Sequence, residues 1–336
     1  MAKSDNLRSA KKAKNDEFYT QYADIEKELQ AYLDKNPNVF RNKIVLCPCD
    51  DPGWSNFTKW FAQNFKTIGL KKLISTSYNP GGKGKLFWID RDIDGDGKID
   101  INDLQSCELQ GDGDFRSQEV TAIRDQADFI ITNPPFSLFR EFMDWIWKGP
   151  GLQFLVIGNM NAITYKEIFP KIKDNKMWLG NGFRGGNAFF RTTITRDFAN
   201  GVYDAETGLV KFRNCCWFTN IDHGRRHQPL QLMSIADNLK HSKHKSIKGK
   251  TFEEAYPKYD NYEAINVDFT DAIPKDYDGV MGVPISFLDR YCPEQFEIAG
   301  LMSGAKDSSL INGDDGRSKF YVNGKGVYAR ILIRKK

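Results

Sequence analysis

The 336-residue sequence contains no apolar run that approaches the ~18 residues of a membrane-spanning helix. Its first residues are polar and basic, which is not the pattern of a signal peptide. We therefore expect no membrane partner and a cytoplasmic location. Hydrophobic residues make up 40% and charged residues 27% of the chain. This composition is typical of a soluble protein with enough core for one large domain or two packed domains.

The sequence also lacks the spacing of a zinc site. It has six cysteines and four histidines. Cys47 and Cys49 are separated by one residue, whereas a zinc knuckle needs a gap of two. The histidine pairs after residue 220 have no acidic or thiol partner at a suitable spacing. We predict free thiols in a reducing compartment and no zinc.

A third absence is the Gly-x-Gly-x-x-Gly fingerprint of dinucleotide-binding proteins. Residues 43–57 predict a strand, a tight loop and a helix from about Ser55, which is the order found in nucleotide-binding crevices. The next predicted strand, at residues 72–78, ends without the carboxylate that would bind a ribose. This argues against a dehydrogenase, and an ordinary strand–turn–helix unit is an equally good reading of residues 43–57.

The most informative segment is a short apolar strand, 129–131, followed by Asn133, Pro134, Pro135 and Phe136. Two prolines cannot continue the strand, so Asn133 is expected at its carboxyl end, where open α/β sheets bind ligands. The Asn133 amide oxygen and the Pro134 carbonyl are two acceptors that suit an exocyclic amine, and Phe136 offers a flat face for a planar ring. These four residues are the candidate catalytic group; the alternative is a plain strand-to-turn junction.

An acidic loop follows the second predicted strand, as if inserted at about residues 85–108. It places oxygens at the spacing of an EF-hand calcium loop, similar to the dockerin variant. The candidate ligands are the side chains of Asp92, Asp94, Asp96, Asp100 and Asp103 and the carbonyl of Lys98. A strand is predicted before the loop, which argues against a helix–loop–helix. We expect one structural calcium ion; an Asp/Gly-rich hairpin tip is the alternative.

A second acidic position, Asp114, precedes the aromatic Phe115 about a dozen residues before the strand at 129. A carboxylate beside an aromatic ring is suited to bind an adenine through its amine and its face. A solvated turn is the simpler interpretation of the same residues.

Basic residues are concentrated in two segments. Residues 1–15 predict a flexible arm that contains Lys11, Lys12 and Lys14, and residues 211–250 hold nine Lys/Arg against two Asp. Such segregation favours a polyanion partner, although a charge run is often only a solvated face. The candidate phosphate contacts in the second segment are Arg225, Arg226, Lys243, Lys245 and Lys248.

Several motifs occur in one order from about residue 12 to the C-terminus. They are Asp16-Glu-Phe-Tyr-Thr-Gln, Cys49-Asp-Asp-Pro, Gly113-Asp-Phe-Arg-Ser, Asn133-Pro-Pro-Phe-Ser, Ile163-Thr-Tyr-Lys-Glu, Tyr256-Pro-Lys-Tyr-Asp-Asn-Tyr, Gly282-Val-Pro-Ile and Pro293-Glu-Gln-Phe-Glu. In these motifs the chain resembles the EcoRI-type adenine-specific DNA methyltransferases. Position 47 departs from the pattern, since it is Cys where related methyltransferases often carry an acid, and the acidic loop lies outside the pattern.

The resemblance implies an α/β fold of the class I, Rossmann-like methyltransferase type, with a mixed sheet, helices on both faces and a C-terminal target-recognition region. The expected domains are the arm at 1–15, a catalytic domain at 16–220 and the recognition region at 221–336. The resemblance also implies S-adenosylmethionine as cofactor. Its contacts would be Tyr19, Thr20, Cys49, Asp50, Asp51, Asp114, Phe115 and Asn133.

The function expected from these features is methyl transfer from S-adenosylmethionine to N6 of an adenine flipped out of double-stranded DNA. A cognate restriction endonuclease is a candidate partner. Two alternatives remain open at this point. One is an RNA or protein-glutamine N-methyltransferase with the same turn, and the other is a non-catalytic DNA-binding protein.

Overall fold

A computed structural model of the protein describes residues 18–183, 187–192, 198, 201–302 and 319–336. The predicted arm, with Lys11, Lys12 and Lys14, lies outside these residues. The chain divides into two compact units. The first comprises the residues up to Asn159 together with Leu179–His223, and the second comprises Met160–Trp178 and Gly224–Lys336. The predicted division into a catalytic and a recognition domain stays a prediction about the roles of these regions.

The first unit is built on short strands connected by helices. The strands are β1 (Tyr19–Thr20), β2 (Ile44–Cys47), β3 (Lys72–Ser77), β4 (Lys85–Ile89), β5 (Gln105–Glu108), β6 (Phe129–Thr132), β7 (Gln153–Asn159), β8 (Trp178–Leu179), β9 (Asn187–Arg191), β10 (Tyr203–Asp204), β11 (Leu209–Arg213) and β12 (Cys215–Thr219). The first residue of β8, Trp178, is counted with the second unit. The helices are α1 (Tyr22–Lys35), α2 (Asn56–Ile68), α3 (Gln118–Arg124) and α4 (Phe139–Trp147). The mixed α/β class predicted from the sequence is confirmed.

Eight strands form the main sheet in the order β5-β4-β3-β2-β6-β7-β12-β8. The central strands β3, β2, β6 and β7 are parallel, and β4 and β12 join them antiparallel on either side. The chain leaves β2 toward β3 on one side and later enters β6 on the other side. The carboxyl ends of β2 and β6 therefore flank a topological switch point, which is where open sheets hold ligands.

Helices cover both faces of this sheet. Trp217 and Phe218 are consecutive in β12, so their side chains point to opposite faces. Phe57 of α2 packs edge-on against Trp217, and Phe139 at the start of α4 packs against Phe218. The central strands are buried on both faces, as their continuous apolar sequences predict.

Local sequence signals explain where α2 begins and ends. The Ser55 hydroxyl accepts hydrogen bonds from the backbone N–H groups of Phe57 and Thr58, which caps the helix start. Gly69 follows the helix with φ of 65°, the left-handed conformation that glycine adopts without strain. The helix start predicted at about Ser55 is confirmed, and it places the loop at 48–54 beside the switch point.

A smaller sheet in the same unit has the order β1-β9-β11-β10, with antiparallel pairing throughout. It brings the Tyr19–Thr20 strand to the carboxyl edge of the main sheet, where the Asn56 side chain donates to the Thr20 carbonyl at 2.7 Å.

The second unit contains α5 (Phe169–Lys173), α6 (Ile235–His241), α7 (Phe252–Ala255), β13 (Lys258–Tyr259), β14 (Tyr262–Asn266), β15 (Met281–Pro284), β16 (Phe296–Met302), β17 (Tyr321–Val322), β18 (Lys325–Gly326) and β19 (Arg330–Lys335). Its five-stranded sheet has the order β13-β14-β15-β19-β16, and β17 pairs with β18. Among the described residues, the longest helices are too short and too polar to cross a bilayer.

Candidate active site

A cavity of about 690 Å³ opens at the carboxyl edge of the main sheet. Its wall contains residues from the segment before α1, from the loop after β2, from the turn before α3 and from the turn after β6. These segments are far apart in sequence, and parallel topology brings them to one edge. The predicted residues in the wall are Tyr19, Thr20, Cys49, Asp50, Asp51, Asp114, Phe115, Asn133 and Pro135.

The Asn133 side chain is oriented by the backbone of the segment before α1. Its amide nitrogen donates a hydrogen bond to the Phe18 carbonyl at 2.6 Å. Its amide oxygen is buried and accepts no hydrogen bond from any residue that the structure describes. A buried acceptor without a donor costs free energy, so few are left in native proteins without a functional reason. The arrangement presents one acceptor at the edge of the cavity.

Phe136 belongs to an aromatic cluster beside the turn rather than to the cavity wall. Its ring stacks on Phe18 with centroids 6.3 Å apart and planes 22° apart. It also packs against Phe190 of β9 and Phe212 of β11, at centroid distances of 6.0 and 5.5 Å. Pro134 is buried at the start of the same turn. Sequence reasoning missed this cluster because its four members come from four separate segments.

Asp50 has a structural environment that the sequence did not indicate. Its carboxylate is buried and accepts hydrogen bonds from the Ser55 hydroxyl at 2.8 Å and the Thr132 hydroxyl at 2.5 Å. It thus links the loop after β2 to the last residue of β6, directly before Asn133. No cation faces it among its described partners, and burial raises the pKa of Asp50 to about 6.

Asp114 is held by a neighbouring arginine. Arg116 donates from Nε and Nη2 to the two Asp114 oxygens at 2.9 and 2.6 Å, and from Nη1 to Glu141 at 2.6 Å. The bonds to Asp114, followed by those to Glu141, raise the pKa of Arg116. A bidentate pair fixes the orientation of the carboxylate. Phe115 is buried against Phe142, with ring centroids 5.0 Å apart.

Tyr19, Thr20 and Asp51 are further predicted residues of the cavity wall, and Trp54 lies at its mouth. Tyr19 stacks on Trp54 with ring centroids 6.1 Å apart, and Trp54 is 60% exposed. The Thr20 hydroxyl oxygen is buried and has no hydrogen-bond partner within the described part of the chain. Asp51 accepts from the Gly53 N–H at 2.8 Å and so shapes the loop after β2. Trp54 and Arg116 were not predicted as site residues. Arg116 directly follows Phe115 and Trp54 lies three positions after Asp51, and this proximity is the one signal that the sequence offered.

The acidic loop connects β4 to β5. Carboxylate oxygens of Asp92, Asp94 and Asp96 lie within 4.8 Å of one another. The Asp103 carboxylate instead accepts from the backbone N–H groups of Ile93 and Asp100, at 2.6 and 2.9 Å. These bonds lower the pKa of Asp103. The loop follows a strand as predicted, and the calcium ion, with Lys98 and Asp100 among its ligands, stays a prediction.

The predicted phosphate contacts of the second unit fall into two groups. Arg225 pairs with Asp289 at 2.7 Å and Lys243 pairs with Asp271 at 2.7 Å. Arg226 is buried, with its guanidinium 3.5 Å from the Trp178 ring centroid. Lys245 and Lys248 are exposed and form no ion pair with a described residue. Charge counting along the sequence could not separate these groups.

Comparisons with known proteins relate the whole chain to one family. The model of a family described as adenine-specific methyltransferase EcoRI matches residues 6–336. The chain is 42% identical to the type II methyltransferase M.EcoRI of Escherichia coli, with 98% of this chain and 96% of the relative covered. It is 32% identical to M.MpnI of Mycoplasma pneumoniae and 34% identical to M.MgeORF184P of Mycoplasma genitalium, each with 97% of both chains covered. The comparison with solved structures gave no significant match.

The fold places the Asn133 turn and the loop after β2 at one cavity on the carboxyl edge of the main sheet. The chain belongs to the EcoRI adenine-specific methyltransferase family. The predicted function, site-specific adenine methylation of DNA, is confirmed at this level.

Proposed function

We propose that the protein transfers a methyl group from S-adenosylmethionine to N6 of an adenine extruded from double-stranded DNA. Support comes from the Asn133 side chain, whose nitrogen is committed to the Phe18 carbonyl and whose oxygen is left as a buried acceptor. An exocyclic amine is the complementary donor, since it carries two N–H groups. The Asn133 oxygen and the Pro134 carbonyl would accept these hydrogens and direct the nitrogen lone pair toward the methyl group.

The residues of the cavity fit the proposed cofactor. An adenosine moiety needs a fixed acceptor and a flat apolar surface, which Asp114 and Phe115 supply. The buried oxygens of Thr20 and Asn133 accept no hydrogen bond from a described residue, and polar groups of the cofactor or the substrate would satisfy them. S-adenosylmethionine, when bound, supplies a methyl group on a positively charged sulfur, which is a good leaving group. The protein then needs to position the reactants and requires no strong base in the turn.

Tyr19, Cys49 and Asp51 complete the proposed cofactor site because they line the same cavity. Asp50 also lines it, but its carboxylate is engaged by Ser55 and Thr132. We assign it the task of holding the loop after β2 against the end of β6. The parallel core and its switch point support a class I methyltransferase fold, with the second unit as the target-recognition region.

The aromatic cluster around Phe136 occupies the ring on which an extruded adenine is expected to stack. A base that stacks on this ring must compete with Phe18, Phe190 and Phe212, which already contact it. We therefore propose that part of the cluster moves when the adenine enters.

Lys245 and Lys248, and the arm with Lys11, Lys12 and Lys14, are the proposed phosphate contacts. A cognate restriction endonuclease is a proposed partner.

The experiment that tests the function uses the purified full-length protein with labelled S-adenosylmethionine. Double-stranded DNA, structured RNA and a glutamine-containing peptide are offered separately and in competition. The proposal predicts label in DNA, recovered as N6-methyladenine within one short sequence. Label in RNA or peptide would favour the alternative methyltransferases, and cofactor binding without transfer to any substrate would favour a DNA-binding adaptor.

A further inference from the structure

The small sheet has one face that carries cations and aromatic rings. Directly opposed residues in antiparallel strands share a face, and alternate residues along a strand do too. Tyr19 is paired with Arg191, Arg191 with Leu209, Phe189 with Lys211, and Asn187 with Arg213. These residues form what we call the outer face. The opposite face carries the buried residues Thr20, Ala188, Phe190 and Val210.

The three cations of the outer face have no anionic partner among the described residues. Arg191, Lys211 and Arg213 form no ion pair with any described residue. The Lys211 ammonium lies 5.8 Å from the centroid of the Phe189 ring, which is 40% exposed. Phe189 and these cations are thus accessible to a ligand. Their chemistry suits a ligand with both phosphates and flat rings.

The outer face is continuous with the mouth of the cavity. Tyr19 belongs to this face and also lines the cavity, where its ring stacks on the exposed Trp54. On the opposite side of the same strands, Phe190 and Phe212 contact Phe136 of the catalytic turn. A nucleic acid that delivers a base to Asn133 is therefore within reach of this sheet.

We propose that the outer face is a DNA-contact surface beside the extruded adenine. The contacts are made by Tyr19, Phe189, Arg191, Lys211 and Arg213. The inference rests on the proposed function. Arg191, Lys211 and Arg213 bind phosphates of the strand that carries the target. Phe189 stacks on a base that loses its neighbour when the adenine leaves the helix. The surface thus stabilises the extruded state and not only the encounter.

The charge assignment is tested with Arg191→Gln/Lys211→Gln/Arg213→Gln. Its matched control, Arg41→Gln/Lys66→Gln/Lys71→Gln, removes three exposed cations near the amino edge of the main sheet. Binding of a duplex that the wild type methylates is measured over a range of salt concentrations. Each lost phosphate contact should reduce the slope of log affinity against log salt by about 0.9. We expect a reduction of about 2–3 for the first variant and none for the control.

The single variants Lys211→Gln and Arg213→Gln, each expected to reduce the slope by about 1, preserve the test if the triple variant does not fold. Affinity for S-adenosylmethionine should match that of the wild type in all of these proteins. Equal salt slopes in the variants, the control and the wild type would overturn the proposal. Failure of the wild type to methylate DNA would overturn the proposed function instead, so the two failures are distinct.

The stacking assignment is tested with Phe189→Ala, and Phe189→Trp is the conservative control. The loss of one stacked base should weaken binding of the methylated duplex by about tenfold. The salt slope should remain that of the wild type, and the Trp variant should restore affinity. A duplex with an abasic target site, which is already unstacked, should show the same dependence on residue 189. Wild-type affinity of Phe189→Ala for both duplexes would show that this ring does not contact DNA.

Discussion

The cavity edge of the first unit and the basic segment at 225–248 of the second differ in how their polar groups are used. At the cavity edge, the Asn133 nitrogen is committed and its oxygen is available. In the basic segment, Arg225 and Lys243 are in ion pairs and Arg226 is buried against Trp178. A residue's type indicates what it can bind, but its existing partners decide whether it does.

The largest change in the free energy of unfolding that bears on this comparison is expected on substitution of Arg226. Arg226→Ala removes a buried guanidinium that stacks on Trp178 and donates to Asn175 at 2.5 Å. We expect a loss of about 3 kcal/mol in the free energy of unfolding. Lys245→Ala/Lys248→Ala should leave unfolding unchanged and reduce the salt slope of DNA binding by about 2. Denaturant unfolding and salt-dependent binding separate the two, and a stable Arg226→Ala with weakened DNA binding would reverse the assignment.

The acidic loop allows a second test, because its carboxylates are candidates to bind a cation. Asp92, Asp94 and Asp96 converge within 4.8 Å, and a cation among them would relieve their repulsion. At a calcium concentration of 100 times Kd, binding to the folded state would add about 2.7 kcal/mol of stability. Chelation should lower the melting temperature while methyl transfer stays measurable at low temperature, and Asp92→Asn/Asp96→Asn should abolish the dependence. The same melting temperature with calcium and with chelator would show that the loop does not bind a structural calcium ion.

Asp50 lines the cavity, but its carboxylate already accepts hydrogen bonds from Ser55 and Thr132. Because its pKa is raised to about 6 from 3.8, the folded state binds the proton more tightly than the unfolded state. This group's contribution to stability is therefore present at low pH and is lost as the pH rises from about 4 to about 6. The loss amounts to about 2–3 kcal/mol. Asp50→Asn cannot ionise, so its stability relative to the wild type should rise over this interval. A constant difference between the two proteins would show that Asp50 is not the titrating group.

Asp114 is hydrogen-bonded by Arg116 and also lines the cavity, so it already has a partner and can still contact a ligand. If its carboxylate also accepts the cofactor's adenine amine, Asp114→Ala should weaken S-adenosylmethionine binding by about 2 kcal/mol. Calorimetry measures this directly. Glu141→Gln, which keeps the Arg116–Asp114 pair, is the control and should bind with nearly wild-type affinity. Equal affinity of Asp114→Ala and the wild type would remove Asp114 from the cofactor site.

Sequence reasoning succeeded where backbone geometry dictates position. Breakers such as Pro134 and Pro135 define the end of a strand, and parallel topology brings the ends of β2 and β6 together. It failed where an outcome depends on contacts between distant segments. The Phe18 carbonyl that orients Asn133 is 115 positions away. The ion pair of Arg225 with Asp289 spans 64 positions. Neither contact leaves a periodic or local pattern in the sequence.

The most direct test of the account compares Asn133→Ala with Phe136→Ala in single-turnover methylation. One duplex carries a paired target adenine, and the other places the same adenine opposite a mismatch, which lowers the cost of extrusion. Asn133→Ala should retain cofactor and DNA binding and lose several kcal/mol in the chemical step, because its acceptor acts on the attacking amine. Phe136→Ala should lose about 1–3 kcal/mol, since stacking supports the extruded base before and during transfer.

The mismatch should partly restore Phe136→Ala and hardly help Asn133→Ala. This result would establish that the turn separates chemistry from extrusion. Equal rescue of both variants, or near wild-type transfer by Asn133→Ala on the paired duplex, would contradict the central claim.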